Sequence, residues 1–223
     1  MDAFLVVGAG SAAFVATFIR HDLIYVFGVV PADVIERYRL WQPITYMFMH
    51  AGPTHILFNM LGIWMFGVEL ERLWGTKFFL RYYAVTGIGA AITTILAALL
   101  PFTITASTYD TVTVGASGAL FGILLAFAMY YPERPILMAL IFPTPAKYFV
   151  IIIGALSYFS SPGGVAHAAH LGGLIFGYLY LQGGRGGLTA EMKYRYLKWK
   201  MNRLRRKFDV YSGGRSDWDR KVH

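Results

Sequence analysis

The groups in this chain able to do covalent chemistry fall at three places. Ser117 sits in Gly115-Ala116-Ser117-Gly118, at the head of the apolar run 119–131. Little side-chain bulk surrounds that hydroxyl, so another group can come close to its oxygen. His170 stands in Ala169-His170-Leu171-Gly172-Gly173, again inside an apolar run. His55 and Asn59 are spaced i,i+4, which places them on one face of a helix. Serine is a poor nucleophile until a base takes its proton, and neutral imidazole is the usual base. Attack on an amide creates an oxyanion that needs fixed donors. Asn59 can offer an amide N–H, His55 a ring N–H and Ser117 its own backbone N–H. Each group also has an ordinary reading: the glycine spacing is a packing face, a membrane histidine a hydrogen-bonded packing group, and Asn59 glue between helices.

Composition says what must position these groups. Of 223 residues, 57% are hydrophobic and 14% charged, with a mean hydropathy of +0.51. Together with several apolar runs long enough to cross a bilayer, this excludes a soluble globule and implies an all-α, multispanning membrane protein. The chain has no cysteine, which excludes disulfides, thiolate chemistry and cysteine-bound metals. Residues 1–181 carry eight Lys/Arg against eight Asp/Glu, so the whole net charge of +8 belongs to residues 182–223. A neutral membrane core with a cationic tail is expected, and no nucleic-acid partner. Asp2 and the missing basic n-region argue against a cleavable signal peptide.

Six spans are expected, at residues 4–19 with 23–30 beyond, 55–70, 78–100, 115–131, 146–159 and 165–181. Residues 31–52 read as an amphipathic loop in the interface and 101–114 as a Thr-rich link. Residues 136–142 read as an extension of a turn, or else a half-helix. On this assignment Arg72, Lys77, Arg81, Arg134, Lys147 and the tail's cations share one side, against Arg20, Arg37 and Arg39 on the other. Both termini should then be cytoplasmic, in a plasma membrane such as a bacterial inner membrane.

This topology puts Ser117, His170, His55 and Asn59 at one depth, within the outer third of the bilayer at a rise of roughly 1.5 Å per residue. Strongly polar residues in a span are costly and mark function. No acid shares that depth, so a Ser–His dyad is expected rather than a triad, with Asp110 a loop or capping residue. Gly115, Gly118 and Gly122 on one helix and Gly172, Gly173 and Gly177 on the other should let the two axes approach. His167, His170 and His55 would make three nitrogen ligands, but His-Glu-x-x-His is absent and no carboxylate joins them, so no metal and no cofactor are expected. His21 and His50, in or near loops, should be solvated.

With Gly115-x-Ser117-Gly118, Ala169-His170-x-Gly172 and His55-x-x-x-Asn59 on separate spans, the chain resembles the rhomboid intramembrane serine proteases over about residues 3–181. The resemblance implies a six-transmembrane-helix bundle with Ser117 as nucleophile, His170 as general base, and His55 with Asn59 stabilising the oxyanion. It implies a first loop half-embedded around Trp41, a structural glutamate at Glu71, and Phe121 supporting the histidine ring, unless Phe121 is plain core packing. Where the family often has Trp-Arg, this chain has Trp41-Gln42, which leaves that loop's hydrogen bonding open. The implied activity is hydrolysis of transmembrane proteins near the outer edge of a spanning helix weakened by its own residues. The alternatives are a catalytically inactive rhomboid-like scaffold, against which the intact Ser117 and His170 argue, and a small transporter, which would want charged sites at the midplane. In the tail, Tyr194, Leu197, Met201, Leu204 and Phe208 follow helical spacing among Lys198, Arg205, Arg206 and Lys207. That reads as an amphipathic helix on anionic lipid, or else as a solvated tail.

Overall fold

The computed structural model describes Ser11 and residues 22–100, 108–138, 141–160 and 164–184. By contacts the chain divides into Met1–Leu181 and Gln182–His223, and nearly all described residues belong to the first unit. Apart from Ser11, the expected span at 4–19 lies outside the described residues, as do His21 and the tail's helical pattern.

The organising element is α6 (Thr76–Ala98), the one helix among the described residues long and apolar enough by itself to cross a bilayer. Gly75 makes its start possible: at φ +78 it closes the preceding helix α5 (Val68–Trp74), its N–H donating to the Glu71 carbonyl at 2.7 Å, and turns the chain back. Phe79, Tyr82, Tyr83, Thr86, Gly87, Ala90, Thr94 and Ala98 on α6 are buried at three- and four-residue intervals. Against that stripe packs α7 (Ser117–Tyr130), and Tyr82 Oη donates to the Gly122 carbonyl at 2.7 Å to join the two helices. The apolar core lies here, around Ile63, Leu70, Phe79, Tyr82 and Ile123.

The helical run before Gly75 is interrupted. α4 (Pro53–Gly62) opens with proline in its first turn and passes through a π-helical turn, Ile63–Gly67, into α5. α7 is fourteen residues, about 21 Å, and so falls short of a bilayer's hydrocarbon thickness. α8 (Ala146–Ser160) and α9 (Gly164–Gly184) follow.

Two expectations are corrected. Residues 28–30 do not continue the helix: α1 (Leu23–Phe27) stops at Gly28, and Val29 bridges antiparallel to Thr113. A Cβ at Gly28 would stand 2.5 Å from the Ile24 carbonyl oxygen and 2.6 Å from Val112, so the chain must turn there against its neighbour. Residues 136–138 and 142 are neither turn extension nor half-helix. They lie in two antiparallel strands, β1 (Pro135–Met138) and β2 (Phe142–Pro145), with Pro135 opposite Pro145 and Met138 opposite Phe142. Pro135, Pro143 and Pro145 break a helix but are tolerated in edge strands.

The segment 31–52, expected as an amphipathic loop in the interface, carries local structure of its own. It contains α2 (Pro31–Glu36), α3 (Gln42–Thr45) and a 3₁₀ turn at Tyr46–Phe48. Asp33 is held by Arg37 and Arg39, each at 2.8 Å, while Tyr38, Leu40, Trp41 and Ile44 face outward. Gln42 is fully buried. Its Oε1 accepts from the Val30 N–H at 3.0 Å and its Nε2 lies 3.4 Å from the Tyr25 and Val26 carbonyls. Trp41 Nε1 donates to the Val26 carbonyl and Thr45 Oγ1 to that of Phe27. The last carbonyls of α1, which a helix leaves without partners, are thereby satisfied, and Gln42 supplies the loop's bonding.

Candidate active site

The segment entering α7 is fixed before the helix begins. Val29 and Thr113 exchange backbone hydrogen bonds at 2.9 and 2.7 Å, and the Gly115 N–H donates to the Tyr46 carbonyl at 2.9 Å. Gly115 adopts φ +118, and a Cβ there would stand 2.6 Å from His55 Nε2. Only glycine satisfies both demands. The helix then starts with Ser117 itself, so the first backbone N–H groups, that of Ser117 among them, have no partner within the helix. The hydroxyl is half-buried, not sealed.

Ser117 Oγ lies 2.9 Å from His170 Nε2, across 53 residues of sequence. Glycine contacts allow this approach. A Cβ on Gly173 would fall on the Gly118 carbonyl, and one on Gly122 would meet Thr86 at 2.6 Å and the Gly173 oxygen at 3.1 Å. A Cβ on Gly118 would stand 2.5 Å from Ala90 Cβ, and one on Gly172 2.5 Å from Thr93 Oγ1. α7 and α9 therefore touch backbone to backbone, with α6 against both.

The imidazole of His170 is held on two further sides. Phe121 stacks on it with centroids 4.2 Å apart and planes 17° from parallel. Its Nδ1 lies 2.9 Å from Ser157 Oγ on α8. Sequence reasoning passed over Ser157, because a lone hydroxyl in an apolar helix carries little signal. The one available clue was its place in the span that immediately precedes His170.

His55 and Asn59 close on Gly115. Asn59 is buried, its Nδ2 donates to the His55 carbonyl at 3.0 Å, and a Cβ on Gly115 would stand 3.6 Å from that nitrogen. The Ala51 N–H donates to His55 Nδ1 at 3.4 Å, which leaves the ring proton on Nε2, the atom turned to Gly115. Two N–H donors thus bear on the backbone two residues ahead of Ser117.

His50, expected to be solvated, is 1% exposed. The 3₁₀ turn folds the chain inward before Pro53, so its ring stands edge-on to His55 at 5.2 Å and its Nδ1 reaches the Phe48 carbonyl at 3.2 Å. Burial, and after it the neighbouring His55, push its pKa down to about 4, so the ring is neutral at physiological pH. Among the other residues weighed, His167 packs on Tyr158 at 4.4 Å and Asp110 is exposed in a turn. Glu71 is buried and accepts from Thr76 Oγ1 at 2.9 Å.

Comparison with known proteins bears on this constellation. A family model described as the Rhomboid domain matches residues 37–184. The chain is 28% identical over 158 residues to Rhomboid protease GluP of Bacillus subtilis (strain 168), covering 70% of this chain and 28% of that protein. It is 31% identical over 151 residues to Rhomboid protease AarA of Providencia stuartii, covering 62% and 54%. It is 30% identical over 145 residues to Rhomboid protein 1, mitochondrial, of Saccharomyces cerevisiae (strain ATCC 204508 / S288c), covering 60% and 38%. The chain thus spans about a quarter to a half of the length of these relatives. The family match takes in His55, Asn59, Ser117, Phe121, Ser157 and His170, and on its extent the chain, mostly helical and membrane-embedded, belongs to the rhomboid family.

Proposed function

We propose that this protein is an intramembrane serine endopeptidase that cleaves transmembrane proteins near the extracytoplasmic face with a Ser117–His170 dyad. The observation that carries this reading is the 2.9 Å contact between Ser117 Oγ and His170 Nε2, with the ring stacked on Phe121. His170 Nε2 takes the hydroxyl proton as Ser117 Oγ attacks the scissile carbonyl. The resulting oxyanion is received by the Ser117 N–H, His55 Nε2–H and Asn59 Nδ2–H. His170 then returns the proton to the leaving amine, and water hydrolyses the acyl-enzyme by the same steps in reverse order.

The core is read as six spans with both termini in the cytoplasm, most simply in a bacterial inner membrane. Its substrates are membrane proteins whose helix unwinds locally at the cut, and its basic tail rests on anionic lipid. No metal or cofactor enters the reaction. A fluorophosphonate probe tests the proposal. Labelling of the wild type that is lost in Ser117→Ala and in His170→Ala supports it and separates a protease from an inactive scaffold; labelling that persists in Ser117→Ala rejects the nucleophile.

A further inference from the structure

We propose that Ser157 is a positioning residue for His170, doing through a neutral hydroxyl what a carboxylate does in a triad. The inference rests on the protease reading and deepens it. A general base must present a lone pair to Ser117 from Nε2, so the imidazole proton has to sit on Nδ1. The free neutral side chain favours the proton on Nε2, so the Nδ1–H form needs a partner that holds it, and the partner at Nδ1 is Ser157 Oγ, 2.9 Å away. As acceptor for Nδ1–H, that oxygen fixes the tautomer and the ring's rotation in its own plane, while Phe121 fixes the plane itself. The same bond strengthens when the imidazolium forms, since a hydrogen bond from a charged donor is the stronger one.

The support comes from a different helix than the rest of the dyad. Ser157 and Gly154 lie three residues apart on α8, and a Cβ built on Gly154 would stand 3.9 Å from Phe121 Cε1. One face of α8 thus meets both members of the Phe121–His170 stack. The base is complete only while α8 is seated there, so the fifth expected span belongs to the catalytic apparatus and is not just its wall.

The test pairs near-isosteric variants with a spectroscopic readout. Ser157→Thr keeps the hydroxyl and Ser157→Val removes it at the same shape. The valine variant is expected to lose kcat by about tenfold or more with KM within about twofold, and the threonine variant to restore it. Ser157→Ala serves if valine does not fold. In protein carrying ¹⁵N-histidine, with His170 assigned by its absence in His170→Ala, Nδ1 of the wild type should be protonated and Nε2 bare, and this preference should be lost without the hydroxyl. Wild-type kcat in both Val and Ala variants, or a proton on Nε2 in the wild type, overturns the inference. If the wild type neither cleaves nor labels with fluorophosphonate, the protease reading fails instead, and the tautomer still reports on the Ser157 bond.

Discussion

Gly115 is the residue at which two requirements meet, one of backbone conformation and one of space. Its φ of +118 is strained for any L side chain, and the nearest atom to a built Cβ is His55 Nε2 at 2.6 Å. Gly115→Ala should therefore push away a proposed oxyanion donor without touching Ser117 or His170. Loss of one such donor typically lowers kcat on the order of 100-fold, about 3 kcal/mol, and the effect should match that of His55→Ala. Steady-state cleavage of a transmembrane peptide substrate measures it; wild-type kcat in Gly115→Ala would mean that His55 has no part in the reaction. Ser117, His170, His55 and Asn59 are legible in sequence because polar groups in spans are costly and the six-span reading puts these four at one depth. Ser157 is not legible, since a helical hydroxyl can bond its own backbone at little cost and so draws no notice. His50 misleads in the other direction. Followed by Ala51-Gly52-Pro53 it reads as a solvated loop residue, and only the inward 3₁₀ turn, a tertiary feature, buries it.

At the scale of elements, the site depends on two devices that local sequence announces unequally. The glycine pattern on α7 and α9 is visible in sequence, and the structure turns it into a contact between Gly173 and the Gly118 carbonyl. Because the clash is with backbone, a larger residue cannot be relieved by a rotamer change. Gly173→Leu should separate the helices and abolish cleavage while the protein stays in the membrane. Normal activity with normal membrane extraction would refute this packing. The seating of 31–52 is harder to read, because its determinants are buried polar side chains meeting the open end of a five-residue helix. Gln42→Ala removes the acceptor of the Val30 N–H and strands that buried donor. It should lower stability by about 1–3 kcal/mol, seen as an earlier midpoint in denaturant titration in micelles. An unchanged midpoint would show that water replaces the glutamine there. The strand pair at 135–138 and 142–145 was illegible for a simple reason. Its apolar run fits a helix stub or a strand equally well, and only the cross-strand pairing of Pro135 with Pro145 decides.

For the whole molecule, the proposed orientation rests on charge distribution and can be tested at the two ends of α7. The helix of about 21 Å has exposed Asp110 in the turn before it and exposed Glu133 in the turn after it. Glu133 shares its end with Arg134 and Lys147, and the proposed six-span reading assigns the tail's twelve cations to the same side. Positive charge is retained in the cytoplasm, so Asp110 and Ser117 should face outward and Glu133 inward. The chain lacks cysteine, so single introduced thiols can report the topology without background. Asp110→Cys should react with a membrane-impermeant maleimide on intact spheroplasts, and Glu133→Cys only after permeabilisation. The Glu133–Lys147 pair lost in the second variant is solvent-exposed and contributes little, so its removal should not disturb insertion. The reverse labelling pattern would place Ser117 near the cytoplasm and overturn the proposed side of cleavage, whereas the dyad's geometry would stand, since it depends on helix packing and not on which face the membrane presents to the outside.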